Sequence, residues 1–465
     1  MPTGSGGRAT DERQTVKCHA RMQASRRATE PARSARKATQ STGKHKAQGT
    51  HDKAQGADAK LADPSTAPTT AMKLVDQILE FQHEIRDIRR DLHAHPELRY
   101  EERRTSDLIA DKLTEWGIPV IRGLGGTGVV GTIRNGTSTR ALGLRADIDA
   151  LPMQEHNAFP HRSRHNGRMH ACGHDGHTAM LLAAARYMAT HRNFDGTVHL
   201  IFQPAEEGGA GAQRMIDDGL FVKAPCDAVF GMHNWPGLPA GSFALRSGPV
   251  MAGSNEFTIT ITGKGGHAAM PHLGVDPVLV ATHLVQALQS VITRNKRPID
   301  TAVISVTKIH AGEAFNVIPD AATICGTVRT FTVDTLDLVE DRMRQLVEQL
   351  PPAFGAAGTM RFHRNYPPTV NDAAQTEFVR GVLREMVGPQ NVLEFEPTMG
   401  SEDFAYMLQA KPGCYIVVGN GEGDHRSAGH GLGPCQLHNP SYDFNDDLIP
   451  IGASYWVRLA ERFLA

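Results

Sequence analysis

The sequence lacks three features that would assign it to a specialised class of protein. It has no run of about 18 or more apolar residues, so no membrane-spanning helix is expected. Its six cysteines do not have the spacing of a disulfide framework, which favours a reducing compartment and makes the cytoplasm the expected location. The net charge of −1 over 465 residues argues against a nucleic-acid-binding protein.

The first 70 residues also lack Phe, Tyr and Trp, and they contain few large aliphatic residues. They carry 13 Lys and Arg against 6 Asp and Glu, so their net charge is +7 and the remainder has −8. Such a segment cannot bury enough apolar surface to offset the entropy lost on ordering. We therefore predict a disordered basic extension over residues 1–71. Its Arg and Ser content is similar to that of a transit peptide, but a dispensable extension is the simpler interpretation.

The composition of the whole chain, 40% hydrophobic and 21% charged, is that of a soluble globular enzyme. Its length suggests about three domain-sized units. Order begins near Met72 with a helical pattern that stops at His95-Pro96. His93 and His95 lie at that end. On the expectation that no carboxylate or thiol lies nearby, we interpret them as a structural pair.

The stretch from Met169 to Met180 concentrates potential metal ligands. It holds one thiol, three imidazoles and one carboxylate within nine residues, and it runs into the alanine-rich helical pattern of 181–188. A helix N-terminus at this point would help to hold Cys172 as a thiolate. A Cys-x-His pair alone is weak support for a metal site, so the prediction depends on partners elsewhere.

Three predicted strands, over 141–146, 197–202 and 228–232, supply such partners. They lead into Asp147 and Asp149, into Glu206 and Glu207, and into His233 respectively. In open α/β sheets, ligands gather beyond the carboxyl ends of strands. Three successive strands with this property predict a metal site.

The order of predicted strands and helices changes near Ala252. Strands over 257–261, 302–309, 322–328 and 359–363 alternate with helices over 276–295 and 334–350 in the order βαββαβ, which is the ferredoxin-like arrangement. We predict an α/β protein with a mixed sheet, in which a separate domain over 252–366 is inserted between the parts 72–251 and 367–465. The last part contains a helix over 377–387, a strand over 415–419 and a final helix over 448–463.

Five side chains would form a two-metal site if they converged, because their number and mixed S, N and O donors exceed a four-coordinate structural zinc. These side chains are Cys172, His174, Glu207, His233 and His438. Glu206 would then take a proton from the attacking water, and Asp149 would orient a ligand imidazole. In the inserted domain, His267 and Asn316 offer polar groups to a developing oxyanion, and Arg329 can clamp a carboxylate.

Together these motifs resemble the M20 metallopeptidase family, and most closely its amidohydrolase branch of hippurate hydrolases, N-acyl-amino-acid amidohydrolases and indole-3-acetyl-amino-acid hydrolases. The resemblance covers 72–465. The motifs that carry it are DLHAHPEL, LRADIDALPMQE, MHACGHDGHTAML, FQPAEEGGAGA, GMHNWP, GKGGHAAMPH, FNVIPD, MGSEDF and LHNP.

The resemblance implies a di-metal, exopeptidase-like catalytic domain with a ferredoxin-like lid that mediates dimerisation. It implies that the five side chains named above hold two divalent ions per subunit, manganese or zinc, with cobalt or nickel as alternatives. Glu206 matches the general base, Asp149 its supporting acid, and His267 a lid histidine that reaches the partner subunit's site. Asn316, Arg329 and Gly400 match substrate-binding positions. An Asp at position 147, where the wider family has a ligand histidine, argues against an ordinary dipeptidase.

The expected activity is hydrolysis of the amide bond of an N-acyl amino acid to a carboxylic acid and a free amino acid. Deacetylation of an N-acetyl amino acid or N-acetyl-diaminopimelate, or cleavage of a small dipeptide, is the alternative within the enzyme class. A metal-binding scaffold without activity is the alternative from a different class, and the retention of Glu206 argues against it. No nucleic acid and no membrane is expected as a partner.

Overall fold

The computed structural model describes residues 72–422 and 435–465, so the predicted extension over 1–71 lies outside the described residues. The first part of the described chain alternates helices and strands. Its helices are α1 (Asp76–Ala94), α2 (Arg103–Glu115), α3 (His174–Thr190), α4 (Glu206–Gly209), α5 (Gly211–Asp217) and α6 (Leu220–Lys223). Its strands are β1 (Val120–Leu124), β2 (Gly128–Asn135), β3 (Ala141–Asp147), β4 (Gly196–Gln203), β5 (Ala228–Pro236), β6 (Phe243–Leu245) and β7 (Gly248–Met251).

The middle of the chain has the predicted order βαββαβ, with two short strands added. Its elements are β8 (Gly253–Thr262), β9 (Gly266–His267), α7 (Pro277–Ser290), β10 (Ala302–Ala311), β11 (Val317–Ile318), β12 (Ala321–Thr330), α8 (Val333–Gln349) and β13 (Ala357–Tyr366). The helix predicted over 276–295 is α7 followed by a π-helical turn over Val291–Asn295.

The last part returns to the first sheet. Its elements are β14 (Thr369–Asn371), α9 (Ala373–Val387), β15 (Val392–Glu394), α10 (Ala405–Ala410), β16 (Gly413–Gly421) and α11 (Leu448–Phe463). Short 3-10 helices lie at Pro271–Leu273, Pro351–Phe354 and Pro389–Asn391. No helix in the described ranges is long and apolar enough to cross a membrane.

The larger sheet is mixed and has eight strands in the order β1-β2-β4-β3-β5-β16-β6-β15. The pairs β3/β4, β3/β5, β5/β16 and β6/β15 are parallel. Helices α1, α3 and α11 pack together on one face, with Trp456 and Leu182 fully buried among them. A second apolar cluster, which includes Met215, Leu220 and Phe404, covers the other face. The predicted α/β architecture with a mixed sheet between helices is confirmed.

The smaller sheet has four antiparallel strands in the order β10-β12-β8-β13. Apolar residues of α7 and α8, such as Leu284 and Val339, pack on one face of it and form a core of their own with Phe257 and Ile324. Alternation along β8 explains this arrangement, because Phe257, Ile259 and Ile261 are buried whereas the residues between them are not.

Candidate active site

The larger sheet brings the predicted polar side chains to one edge. Asp147 ends β3, and Glu206 begins the short helix that follows β4. His233 lies inside β5, because this strand continues to Pro236 and does not end at Met232 as the sequence predicted. Since β3, β4 and β5 are parallel neighbours, their carboxyl ends lie side by side.

A glycine at the start of α3 lets Cys172 and His174 enter the same region. Gly173 has φ +91°, and a Cβ atom there would lie 2.3 Å from Asn234 Oδ1. Only glycine tolerates this backbone conformation together with so close an approach. Both flanking side chains are buried, and the Sγ atom of Cys172 lies 3.3 Å from His233 Nε2.

His174 is held by Asp149 at one ring nitrogen and is left open at the other. Its Nδ1 atom lies 2.9 Å from the Asp149 carbonyl oxygen and 3.2 Å from Asp149 Oδ1. Its Nε2 atom is buried without a hydrogen-bond partner, and Asp147 Oδ2 lies 3.7 Å away. Burial opposes a charge on the ring, but Asp147 and Asp149 outweigh it and raise the pKa of His174 to about 10. A buried orphan nitrogen among carboxylates fits a bound cation.

His233 is a neutral imidazole whose Nε2 atom faces the Cys172 thiol. Its Nδ1 atom donates to the carbonyl oxygen of Asn234 at 2.7 Å, which leaves Nε2 unprotonated on the side of Cys172. Burial and the neighbouring His177 hold the pKa of His233 well below its ordinary value. The neutral ring is the form that binds metal.

Glu207 and His438 complete a second group of donors. Their Oε1 and Nε2 atoms are 3.2 Å apart, and donor atoms of Cys172, Glu207 and His438 all lie within 4.8 Å of one another. His438 adopts φ +63°, a strained conformation for a histidine, and its side chain is 53% exposed. The two groups of donors are adjacent, because Cys172 contacts His233 of one group and belongs to the other.

The expectation that the helix N-terminus favours a thiolate at Cys172 is wrong for the metal-free protein. Burial raises the pKa of this thiol well above its ordinary value, and the nearby Glu207 and Glu206 raise it further. Burial, followed by the nearby carboxylates, therefore favours the neutral thiol. A cation between these groups would reverse the balance, since a coordinating thiol loses its proton.

Glu206 and the metal-ligand candidate Glu207 lie on either side of a bend in α4, but a carboxylate oxygen of each lies within 4.8 Å of the other and of a ring nitrogen of His174. Ala205 has φ +54°, and Glu207 has non-helical torsion angles, so α4 is bent between the two side chains. Glu206 lies beside Glu402 and Asp403, with carboxylate oxygens within 4.8 Å. Burial, followed by Glu402, raises the pKa of Glu206 well above its usual range. A raised pKa favours the protonated form of this carboxyl group, and a general acid and base must be able to hold a proton.

A buried arginine behind the site was not predicted from the sequence. Arg145 donates to Asp147 Oδ2 at 2.8 Å, to Glu402 Oε1 at 2.8 Å and to Asp403 Oδ1 at 3.1 Å. Tyr415 Oη donates to the other oxygen of Glu402 at 2.5 Å. A charged residue inside an otherwise apolar strand was the available signal, because such a residue must be paired when it is buried.

His177 was also omitted from the predicted set, although the motif contains it. Its Nδ1 atom lies 2.6 Å from Asp147 Oδ1, and its Nε2 atom accepts from the Asn234 backbone N–H at 3.0 Å. Both nitrogens are therefore occupied within the protein. His177 fixes Asp147 and is not free to bind a metal, even though its donor atom lies within 4.8 Å of those of His174 and His233.

The prediction that His93 has no carboxylate nearby is wrong. His93 is fully buried, with Nδ1 at 2.8 Å from Asp175 Oδ2 and Nε2 at 3.3 Å from Glu155 Oε1. These acids are 82 and 62 residues away in the sequence. The interpretation as a structural histidine remains a prediction, and Asp175 ties it to the helix that carries His174.

An open cavity of about 670 Å³ adjoins the donors. Cys172, Glu206, Glu207, His233 and His438 line one side of it. The other predicted residues that line it are Arg329 and Gly400. Arg329 Nη1 lies 3.4 Å from Ser401 Oγ in the same loop as Gly400.

His267 and Asn316 lie together elsewhere. The short strands β9 and β11 pair Val317 with His267, and the Ala268 N–H donates to the Asn316 carbonyl oxygen at 3.0 Å. Both side chains belong to exposed residues, and neither lines the cavity. The structure thus brings these two residues to each other but not to the predicted ligands of the same chain.

Comparison with known proteins places these observations in context. The sequence model of peptidase family M20/M25/M40 matches residues 143–462 of this chain. A hippurate hydrolase of Campylobacter jejuni is 41% identical over 394 residues, which are 84% of this chain and 100% of that protein. An N-acetyl-L-cysteine deacetylase of Bacillus subtilis is 41% identical over 379 residues, which are 81% of this chain and 87% of that protein.

A solved structure is also similar. It is a Bacillus subtilis protein described as a dinuclear metal-binding peptidase of the M20 family. The similarity has a TM-score of 0.72 at 32% identity, and it covers 83% of this chain and 99% of the other.

Proposed function

Because the chain belongs to peptidase family M20/M25/M40, we propose that it is a metal-dependent amidohydrolase that cleaves N-acyl amino acids, such as hippurate, to a carboxylic acid and a free amino acid. The observation that carries the proposal is the position of Glu206. This buried residue lies at a bend in α4, beside the candidate metal ligands, at the edge of one cavity. The activities named for the relatives, hippurate hydrolysis and N-acetyl-cysteine deacetylation, agree with it.

The proposed ligands fit divalent cations. His174 Nε2 is an orphan, and His233 Nε2 is unprotonated and contacts the thiol of Cys172, which lies between the two donor groups. We propose that Cys172, His174, Glu207, His233 and His438 hold two ions. When bound, the ions supply Lewis acidity towards the scissile carbonyl and lower the pKa of the attacking water. The thiolate favours zinc and the carboxylate tolerates manganese, with cobalt or nickel as alternatives.

The remaining steps fall to residues of the chain. Glu206 takes a proton from the attacking water and passes it to the leaving nitrogen, for which its raised pKa is suited. Asp149 positions His174 through the contact to Nδ1. Arg329 and the loop at Gly400 bind the carboxylate of the amino acid, because the half-buried guanidinium faces the cavity.

The segment 252–366 is proposed to act as a lid and dimerisation domain between the catalytic parts 72–251 and 367–465. Strand β10 is an edge strand whose residues 307–311 are exposed, and Phe315 is fully exposed beside Asn316. Unpaired edges and exposed apolar residues are typical of association surfaces. We propose a homodimer in which His267 and Asn316 serve the active site of the partner subunit.

A substrate panel tests the function. Metal-free protein reconstituted with Mn²⁺ or Zn²⁺ is assayed with hippurate, N-acetyl amino acids, N-acetyl-diaminopimelate and dipeptides, and kcat/KM values are compared. The proposal predicts the highest value for N-acyl amino acids with a large acyl group. A higher value for N-acetyl compounds would favour the deacetylase alternative, and no turnover of any amide would favour a metal-binding scaffold.

A further inference from the structure

The wall of the cavity opposite the metal-ligand candidates is one face of the four-stranded sheet. Ser254 and Glu256 are two residues apart on β8, so their side chains point to the same face. Ser254 is aligned with Arg329 on β12, and Glu256 is aligned with His363 on β13. All four residues line the cavity. Glu256 and Arg329 are therefore diagonal neighbours on adjacent strands of this sheet.

Glu256 has no partner in the described part of the protein. It is exposed and makes neither a hydrogen bond nor an ion pair there, whereas Arg329 contacts Ser401 Oγ. Burial lowers the pKa of Arg329 and the charge of Glu256 partly offsets this, so the two groups are within electrostatic reach. A carboxylate that faces a binding cavity without a direct ion pair is available to a ligand.

We infer that Glu256 selects the side chain of the amino acid half of the substrate, favouring N-acyl arginine or lysine over N-acyl glutamate or aspartate. The inference rests on the proposed function, in which Arg329 binds the carboxylate of the amino acid. The side chain leaves the carbon atom next to that carboxylate. Diagonal neighbours on adjacent strands are about 7–8 Å apart, and the long stem of lysine or arginine can span such a distance.

The experiment compares three benzoylated substrates that differ only in the side chain: Nα-benzoyl-arginine, hippurate, which has none, and N-benzoyl-glutamate. The readout is the ratio of kcat/KM for the arginine or the glutamate compound to that for hippurate. The enzymes are wild type, Glu256→Gln and Glu256→Lys, each loaded with the same metal. Glu348→Lys is the matched control, because Glu348 is an exposed acid on α8 of the same segment and does not line the cavity.

In the wild type, the arginine ratio should exceed the glutamate ratio. Glu256→Gln should lower the arginine ratio by about 3-fold to 5-fold, as expected for a partly solvated ion pair. Glu256→Lys should lower it by about 10-fold and raise the glutamate ratio, since attraction becomes repulsion. Glu348→Lys should leave both ratios unchanged.

The experiment separates failure of the inference about Glu256 from failure of the proposed function. If hippurate is hydrolysed but neither ratio responds to Glu256, or if Glu348→Lys changes the ratios equally, the inference is overturned and the proposed function stands. If the metal-loaded wild type hydrolyses none of the three compounds, the proposed function falls and the inference falls with it.

Discussion

The polar residues near the two larger sheets of this protein lie in opposite environments. At the edge of the eight-stranded sheet, Cys172, His174 and His233 are buried and each is fixed by a neighbour. In the segment that carries the four-stranded sheet, Glu256 on β8 and His267 on the short strand β9 are exposed. The proposed hydrolysis therefore depends on side chains that are already fixed in the fold. The proposed recognition of substrate and partner subunit depends on exposed side chains.

The sharpest test of the buried region is Glu206→Gln. The amide keeps the size of the side chain but cannot accept the proton, so kcat should fall by about 10²–10⁴-fold. The bound metal, measured by mass spectrometry of the dialysed protein, should stay near the wild-type content because Glu206 is not one of the five proposed ligands. Retained turnover would remove Glu206 from the mechanism, and a loss of metal would reassign it as a ligand.

The exposed region can be tested by mixing subunits. His267→Ala alone should lower kcat by about 10²-fold, the loss expected for one donor to a developing oxyanion. Co-expression with Glu206→Gln should restore about a quarter of the wild-type activity, because half of the dimers then hold one complete site. No recovery in verified mixed dimers would show that His267 does not act across the subunit interface.

The pH dependence of stability tests the buried region, because it contains the buried His93. Burial disfavours the charged ring of His93, but Asp175 and Glu155 outweigh it and raise the pKa from 6.5 to about 10. The folded protein thus binds this proton more tightly than the unfolded chain does. The resulting stabilisation is fully present below pH 6.5 and is lost as the pH rises towards 10.

Urea unfolding of wild type and His93→Gln at several pH values measures this effect. The free energy of unfolding of the wild type should decrease more steeply between pH 7 and 9. Parallel pH profiles of the two proteins would mean that the imidazole is not protonated in the fold.

The smallest expected effect is on the free energy of unfolding and concerns α7, which packs on the four-stranded sheet. Asp276 caps α7 by accepting hydrogen bonds from the N–H groups of Val278 at 2.8 Å and Leu279 at 3.4 Å. Asp276→Ala should lower the free energy of unfolding by about 1 kcal/mol and leave the metal content unchanged. Asp276→Asn, which retains the capping oxygen, is the control and should cost clearly less.

The sequence predicted regular elements well where they are long and periodic. The final helix over 448–463 has the predicted bounds, and the βαββαβ order was recovered. The strands β6 and β15 were not predicted, since three residues are too few to show an alternation.

The ligand candidates were recognisable because residue type and strand position both point to metal binding. Their supporting contacts were not recognisable. The pairing of Arg145 with Glu402 links residues 257 positions apart, and the partners of His93 are similarly distant. Such pairing follows from the packed fold and not from local spacing.

The most direct test of the central claim is anomalous diffraction from crystals of the zinc- or manganese-loaded protein. We expect two metal peaks, with Cys172 Sγ and His438 Nε2 within about 2.0–2.3 Å of a metal ion and the carboxylate of Glu206 outside bonding distance. A single peak held by Asp147 and His177, or no peak near Cys172, would contradict it.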